Sequence, residues 1–518
     1  MSIFKNYYLS IGILLLFMVA DFSCTHHSAK DRESLVLAQV GNQKITVHDF
    51  RLNYEFGFPH LKKAPDRKRS YLNYMIKEKI LSLAGYQMGL DKNERVQKLE
   101  KELLNELLIE ELFRTEVDDK IKITPKEIHD AINKSKISWK LRYWVDSNFE
   151  NASRVGQAMR QSGYSTVVQD ILRNNPEVKL SPKDFETKYL TWLEVSPELL
   201  NSIKNLKVGE ISDPVKLDGA YFIFQIVDIR RKGILEKEYL DKTASIKKVL
   251  FYRKSMKESL KYISDFMTPK NVVTKGGAFF DLTDALLDWR KLKEEKQTDF
   301  LQAVESADTT HPYLFKLKNK LSETLVTFKG GRWTIKDFLD RFDPKKVRKD
   351  SIDPDKYRKE INQQIALCIR NYFLLQKAKA DNLIKSPEIQ KQLHGWQDKW
   401  VYQETKNYFT RDITVTKIQA KKYFERFKDR YKIGKNDRPT FAAFRNQAIR
   451  DAYFQKEEAL LNSKIDSLKM FYPVKINESI LDTVNTNDSK KSRWMSLQVF
   501  KRNSNRQAVP VVDPAWGF

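Results

Sequence analysis

The sequence predicts a mainly α fold with a small α+β insert, built on two copies of one helical core. Three observations carry this reading. A strand, Gly-containing turn, strand and helix cap occur as VGNQKITVHDF at 40–50 and again as FKGGRWTIKDF at 328–338. The same order of long amphipathic helices follows each copy. Between the copies, residues 137–232 change texture to alternating, strand-like runs bounded by turn signals.

The first element of each copy is a hairpin leading into a helix. Thr46 and Thr334 stand where an N-cap hydroxyl accepts an amide, with Asp49 and Asp337 three residues on to complete a capping box. Ile45 with Phe50, and Trp333 with Phe338, fall at the positions of a hydrophobic staple. Helices are then predicted over 71–90 and 360–383, with apolar stripes at Leu72, Met75, Ile76, Ile80, Leu83 and at Ile365, Ile369, Phe373, Leu374. Gly89-Leu90 and Asn382-Leu383 end them. Second long helices follow over 93–118 and 386–412. Thr124-Pro125-Lys126-Glu127 and Thr416-Lys417-Ile418-Gln419 open third helices with further capping boxes. Four elements in one order argue for duplication.

The N-terminus reads as a targeting segment: Lys5, an apolar run over 7–20, then Phe22-Ser23-Cys24. The run is too short to stay as a membrane span. A small residue before Cys24 resembles a bacterial lipoprotein cleavage site, with Cys24 the lipidated first residue of an exported chain. Asp21 stands where such sites carry Leu, and an ordinary cleaved signal peptide is the other reading. The remaining Cys, Cys368, lies among Ile365 and Ile369 as a small apolar residue, so no disulfide framework is expected. Lys and Arg number 93 against 68 Asp and Glu, a formal +25. An exported chain with this charge points to anionic membrane surfaces or acidic polypeptides, not nucleic acid, while its spread along helices equally fits a solvated surface.

In the insert, Trp139, Leu141, Tyr143 and Val145 alternate as in a strand. Helices are expected over 152–162 and 167–173, and Ser196-Pro197 caps another. LKVGEISDPV at 206–215 then precedes a strand-like GAYFIFQIVD at 219–228. This order and these residues resemble the parvulin-type peptidyl-prolyl isomerase domain, whose end reads LKxGEISxPVxTxxGYHIxxVxD. With the module inserted behind the VGNQKITVHDF unit, the chain resembles the SurA/PrsA family of extracytoplasmic chaperones. The resemblance covers 36–268 and, more weakly, 321–480. It implies SurA-like helical cores, each completed by a helix that returns after the insert position. The domain plan it implies is a lipoprotein-type signal at 1–23, a linker at 24–38, and a first core at 39–136. A parvulin-like domain follows at 137–233, with the first core's return helix at 234–268 and a connecting segment at 269–320. The second core spans 321–432, its return helix 433–480, and a linker with apolar tail 481–518.

Prolyl isomerisation faces a barrier of about 18–20 kcal/mol. The parvulin resemblance implies two His residues in a polar network beneath a proline pocket. The corresponding positions carry Arg142 or Tyr143, one residue of register apart, and Phe222. No His and no Cys occurs anywhere from 137 to 232. The family's Gly-Gly-Asp-Leu-Gly turn is replaced by Tyr189-Leu190-Thr191-Trp192. The expectation is therefore a binding or structural module without catalytic residues. No HExxH, P-loop, GxSxG or spaced Cys cluster points to another reaction, a metal or a cofactor.

For client binding the sequence offers Trp396 and Trp400, i,i+4 neighbours that read either as core or as the lining of an apolar cleft. The tail, ending VPVVDPAWGF at 509–518, reads as a docking peptide for a partner or as a strand completing the second core. The resemblance implies unfolded secreted or outer-membrane polypeptides as partners, at a membrane reached through the lipid anchor. A live isomerase and a dedicated subunit of an envelope complex stand as alternatives.

Overall fold

The computed structural model describes residues 33–175, 180–233, 236–292, 299–347, 353–432, 438–486 and 509–517. The leader, Cys24 and the aromatic run at 494–500 lie outside the described residues. Among the described residues, no helix is long and apolar enough to cross a membrane.

The first copy opens with β1 (Val36–Val40), β2 (Gln43–Thr46) and α1 (Val47–Phe56). It continues through α2 (Arg67–Gln87), α3 (Glu94–Glu116) and α4 (Pro125–Lys134). The insert contains β3 (Ile137–Asp146), α5 (Phe149–Ser162), α6 (Tyr164–Arg173), β4 (Leu190–Thr191), α7 (Pro197–Ile203), β5 (Val215–Leu217) and β6 (Ala220–Arg231). The return helix α8 (Glu236–Met267) leads to β7 (Val273–Thr274). The connecting segment folds as α9 (Gly276–Lys291), α10 (Phe300–Glu305) and α11 (Pro312–Lys318), around Leu282, Leu286, Trp289, Phe300 and Leu317.

The second copy repeats the plan as β8 (Thr324–Phe328), β9 (Gly331–Thr334), α12 (Ile335–Leu339), α13 (Pro354–Ala380), α14 (Pro387–Thr410) and α15 (Lys417–Arg426). Its return helix α16 (Phe441–Leu468) bends at Phe444 and runs to β10 (Val474–Ile476) and α17 (Glu478–Thr483). All four predicted capping boxes form, at Thr46, Thr124, Thr334 and Thr416. Both hairpins shift register at the same place, between Val36 and Ala38 and between Thr324 and Val326. Gly89 and Asn382, at matching ends of α2 and α13, both take the left-handed conformation, with φ of +72° and +55°. That region carries little cost for Gly and is tolerated by Asn.

The chain divides into two compact units, one holding 113–368 and the other 22–112 with 369–518. Neither unit is one copy of the repeat. Sheet order is β10-β1-β2 in one unit and β7-β8-β9 in the other. The strand that follows each return helix therefore completes the hairpin of the opposite copy. β10 pairs with β1 at Ala38↔Ile476 and Val40↔Val474, while β7 pairs with β8 at Val273↔Thr327 and Thr274↔Val326. The flanking bonds match too: Gly41 N to Pro473 O is 2.9 Å and Lys329 N to Lys270 O is 2.7 Å. The sequence pattern assigns the return segments 234–268 and 433–480 each to its own core and does not show this exchange of the strands near their ends. The physical reason is that the two edge strands are equivalent, so residue pattern shows what each can pair with but not which copy it reaches. Each return helix does stay with its own copy's third helix: α8 packs on α4, and α16 on α15.

The unit of 22–112 and 369–518 has its core under the β10-β1-β2 sheet, with Phe50, Tyr54, Tyr71, Ile80, Tyr402, Leu461 and Trp516. Here α14 lies along α2. Gly85 permits the approach, because a Cβ there would collide with Thr405 Oγ1 and come within 2.6 Å of Val401 Cγ1.

In the other unit the insert sheet runs β4-β3-β6-β5, all antiparallel. Both faces are covered, one by Trp139, Leu141, Leu199, Ile203 and Phe224, the other by Trp144, Met159, Tyr164, Val168 and Ile223. The register shift between Lys140 and Leu141 lies within the long β3–β6 pairing. Trp144 is buried on the face opposite Trp139 and Leu141, so both faces of β3 carry a core residue.

The exchanged pairing is testable through the caps. Thr46→Ala and Thr334→Ala should each cost about 1 kcal/mol of local stability. Amide hydrogen exchange should then rise at Val474–Ile476 for Thr46→Ala, and at Val273–Thr274 for Thr334→Ala. The opposite assignment would require each copy to be closed by its own strand.

Candidate functional site

Two places have the geometry to act, one in each unit. The first is the face of the insert where the resemblance places catalytic residues. Tyr143 on β3 and Phe222 on β6 come together, ring centroids 6.3 Å apart, and Phe222 stacks on Phe224 at 6.0 Å. Phe185 meets Tyr143 edge-on at 5.9 Å. Burial pushes the Tyr143 hydroxyl above its ordinary pKa. Arg142 faces elsewhere: its Nε donates to Glu186 Oε1 at 2.8 Å, and Lys140 Nζ lies 2.8 Å from Glu186 Oε2. Of the two residues the resemblance leaves open, Tyr143 shares a cluster with Phe222 while Arg142 is held by a carboxylate. The face is an aromatic surface beside an ion cluster of two cations on one carboxylate. It offers shape and apolar contact, with no group titrating near neutrality among Tyr143, Phe185, Phe222 and Phe224.

The altered turn has found other work. Trp192 is buried with Ala131, Ile132 and Ile246 of α4 and α8. Arg253 of α8 lies over its ring at 4.3 Å and donates to the carbonyls of Trp192 and Val195, at 2.9 and 2.7 Å. This loop fastens the insert to the return helix.

The second place is a groove on the other unit, and it is filled. Residues 509–517 lie in it without helix or strand, between α1, α2 and α14. Asn53 clamps the backbone at two points, donating to Pro510 O at 2.9 Å and accepting from Val512 N at 3.0 Å. The Tyr71 hydroxyl donates to Asn53 Oδ1 at 2.8 Å and fixes that amide. Glu78 Oε1 accepts from Asp513 N at 2.6 Å and from Trp516 Nε1 at 3.2 Å. Asp513 in turn accepts from the Tyr402 hydroxyl and from Lys406, both at 3.0 Å. Trp516, 2% exposed, stacks on Tyr74 at 6.2 Å under the Lys77 ammonium. Pro510 lies against the position of Gly395, and His60 Nε2 meets Pro514 O at 2.8 Å.

The floor beneath the tail is charged and largely buried. Lys399 Nζ reaches Glu78 Oε2 at 2.7 Å, and Lys406 bridges Asp513 to Glu457 at 3.0 Å each. Burial pushes the Glu78 carboxyl up, against the pull of Lys399. Asp513 feels the same burial, but Lys399 and Lys406 together hold it below the ordinary carboxylate range. Burial alone would lower Lys406; Asp513 and Glu457 hold it above the usual lysine value.

The tail thus docks on its own chain. Trp396 and Trp400, the residues the sequence offered for client binding, are 8% and 6% exposed with centroids 5.9 Å apart. That is the placement of packing residues, not of an open cleft. The sequence reading missed Asn53, Glu78, Lys399, Tyr402 and Lys406. A signal was present on α14: Gly395, Lys399, Tyr402 and Lys406 recur at the spacing of one helix face, where two lysines flank an otherwise buried tyrosine.

Glu186 provides a test of the ion cluster on the insert. Its hydrogen bond from Lys140, with that from Arg142, outweighs burial and holds its carboxyl below the usual value. The folded pKa is below the unfolded one, so this stabilisation is complete above about pH 4.3 and is lost as pH falls through the depressed folded value. Glu186→Gln should lower the melting temperature of the insert at pH 7 and flatten its pH dependence on the acid side.

No family model matches the chain, and no curated protein matches it. Solved structures of two kinds do, over part of the chain. The peptidylprolyl isomerase PrsA of Bacillus anthracis matches at 15% identity over 36% of this chain and 88% of its own, with a TM-score of 0.20. The SurA-like chaperones PEB4 and Cj1289 of Campylobacter jejuni are represented by a structure at 15% identity, covering 46% of this chain and all of that one, with a TM-score of 0.20. PrsA of Bacillus subtilis matches at 18% identity over 44% and 88%, with a TM-score of 0.17. The chain is similar, in part and at low identity, to PrsA foldases and SurA-like chaperones.

Proposed function

We propose that this chain is an ATP-independent holding chaperone for unfolded exported polypeptides, anchored at a membrane through Cys24. The observation that carries the reading is the groove of α1, α2 and α14. It grips an irregular, extended segment through that segment's own backbone, one carboxylate and one aromatic ring. Contacts to backbone are indifferent to most of a client's sequence, which a protein that must hold many unfolded chains requires. The GEIS-DPV module and the duplicated hairpin-helix unit support the same reading. The net charge of +25 suits acidic clients and anionic lipid surfaces.

The insert serves in this reading as a binding or positioning module. Where the resemblance implies two imidazoles, Tyr143 and Phe222 form part of an aromatic cluster. The domain retains both covered sheet faces, so it is a folded body without the polar network.

Two measurements bear on this. The soluble chain without its first 24 residues should bind several unrelated unfolded polypeptides, outer-membrane β-barrels included, with micromolar or tighter affinity. Binding to none of them by a folded protein would favour a dedicated subunit of an envelope complex. In a refolding assay limited by prolyl isomerisation, the protein should leave the slow phase unaccelerated. A clear acceleration lost on Tyr143→Ala or Phe222→Ala would show a live isomerase.

A further inference from the structure

The tail covers a site where several polar groups of the fold each direct a hydrogen bond at it. Asn53 Oδ1 and Nδ2 address Val512 N and Pro510 O, the spacing of an extended backbone. Glu78 is buried and aims Oε1 at a backbone amide and an indole N–H of the tail. Lys406 and Tyr402 converge on one carboxylate, that of Asp513. Trp516 fills the space beside Tyr74, and Val511 and Val512 are buried. If the tail left, Glu78 and Asn53 would lose their backbone partners and Lys406 would keep Glu457 alone. Such groups demand a replacement of the same chemistry.

The tail itself has the properties of a ligand more than of a structural element. It makes no helix or strand, and 22 sequence positions, 487–508, separate it from Thr486. A stretch of that length spans at most about 75 Å, long enough for a tethered peptide to leave its site and return. Tethering gives such a peptide an effective concentration on the order of millimolar. Pro510 and Pro514 lack the amide N–H, and neither position needs one in this site.

We infer that the groove of α1, α2 and α14 is a binding site for extended polypeptide segments with two aliphatic residues, then an acidic residue, then an aromatic three positions on, and that the C-terminal tail occupies it as a displaceable internal ligand. This deepens the holding reading and rests on it, by naming the site and the pattern it selects. Asn53 reads the backbone, Lys406 and Tyr402 read the acid, and Tyr74 with Glu78 reads the aromatic ring. Clients compete with the tail, so the resident peptide sets a threshold that weak or wrongly patterned segments do not pass.

The test uses the full chain and a chain ending at Ala508, with a fluorescein-labelled nonapeptide of the sequence of 509–517 as probe. Anisotropy should show saturable binding to the shortened chain, and at least about tenfold weaker binding to the full chain, whose own tail competes. Peptides carrying Asp513→Asn or Trp516→Ala should bind the shortened chain at least about tenfold more weakly, the loss of one buried charged or aromatic contact. An unfolded client should displace the probe. A folded shortened chain that ignores the peptide overturns the proposal, as does a client that binds without displacing it. If the peptide binds but no client binds either chain, the groove assignment stands and the holding function falls. Should the shortened chain fail to fold, hydrogen exchange at 511–513 in the full chain decides. Exchange accelerated by client supports displacement, and exchange unchanged by bound client overturns it.

Discussion

Everything in this fold depends on closing the open edge of a two-stranded hairpin. A hairpin alone is marginal in water and leaves a row of unpaired amides and carbonyls along one strand. β1 and β8 are the middle strands of their sheets only because β10 and β7 arrive to cover them. Both arriving strands come at the end of long helices, Glu236–Met267 and Phe441–Leu468, from the opposite copy of the repeat. The exchange makes each unit a joint product of the two copies. The chain passes between units within α3, after Leu112, and within α13, after Cys368.

That exchange explains why charged residues are found in the core of the unit of 22–112 and 369–518. α2 belongs to the first copy and α14 to the second, and Lys79–Asp398 and Lys399–Glu78 join them. Tyr86 also donates to Asp398, at 3.0 Å. Buried ion pairs contribute little net stability compared with well-packed apolar residues, but breaking one leaves an uncompensated charge. Pairs of this kind discriminate between registers, and between one helix partner and another. With two similar cores in one chain, such discrimination matters. The same helix pair then offers Glu78, Tyr402 and Lys406 to the tail, so the groove is built from residues of both copies.

The insert is a sheet sealed on both faces. Its two covered faces and its GEIS-DPV edge are matters of burial and hydrogen bonding. Ser212, for example, donates to Asp213 O and accepts from Phe224 N at 2.9 Å. Phe222 and Tyr143 pack together on one of these faces. Trp192, in the altered turn, then anchors the module to α8 through Arg253.

The sequence by itself determined the duplicated unit, the helices and their caps, because these are local: a Thr three residues before an Asp, or an apolar stripe at helical spacing, forms the same structure wherever it lies. It determined the absence of His and Cys from the insert, which is a matter of counting. What it left undetermined is non-local. Whether Val474–Ile476 pairs with β1 or β8 depends on where a long helix delivers it, and both edges accept it equally. Trp396 and Trp400 were legible as a helix stripe, but burial is decided by what α14 packs against. The groove combines Asn53, Glu78, Lys406 and Asp513 from four separated segments. Only the tertiary structure unites them, because a buried carboxylate becomes tolerable only once its distant partners have been brought within hydrogen-bond reach.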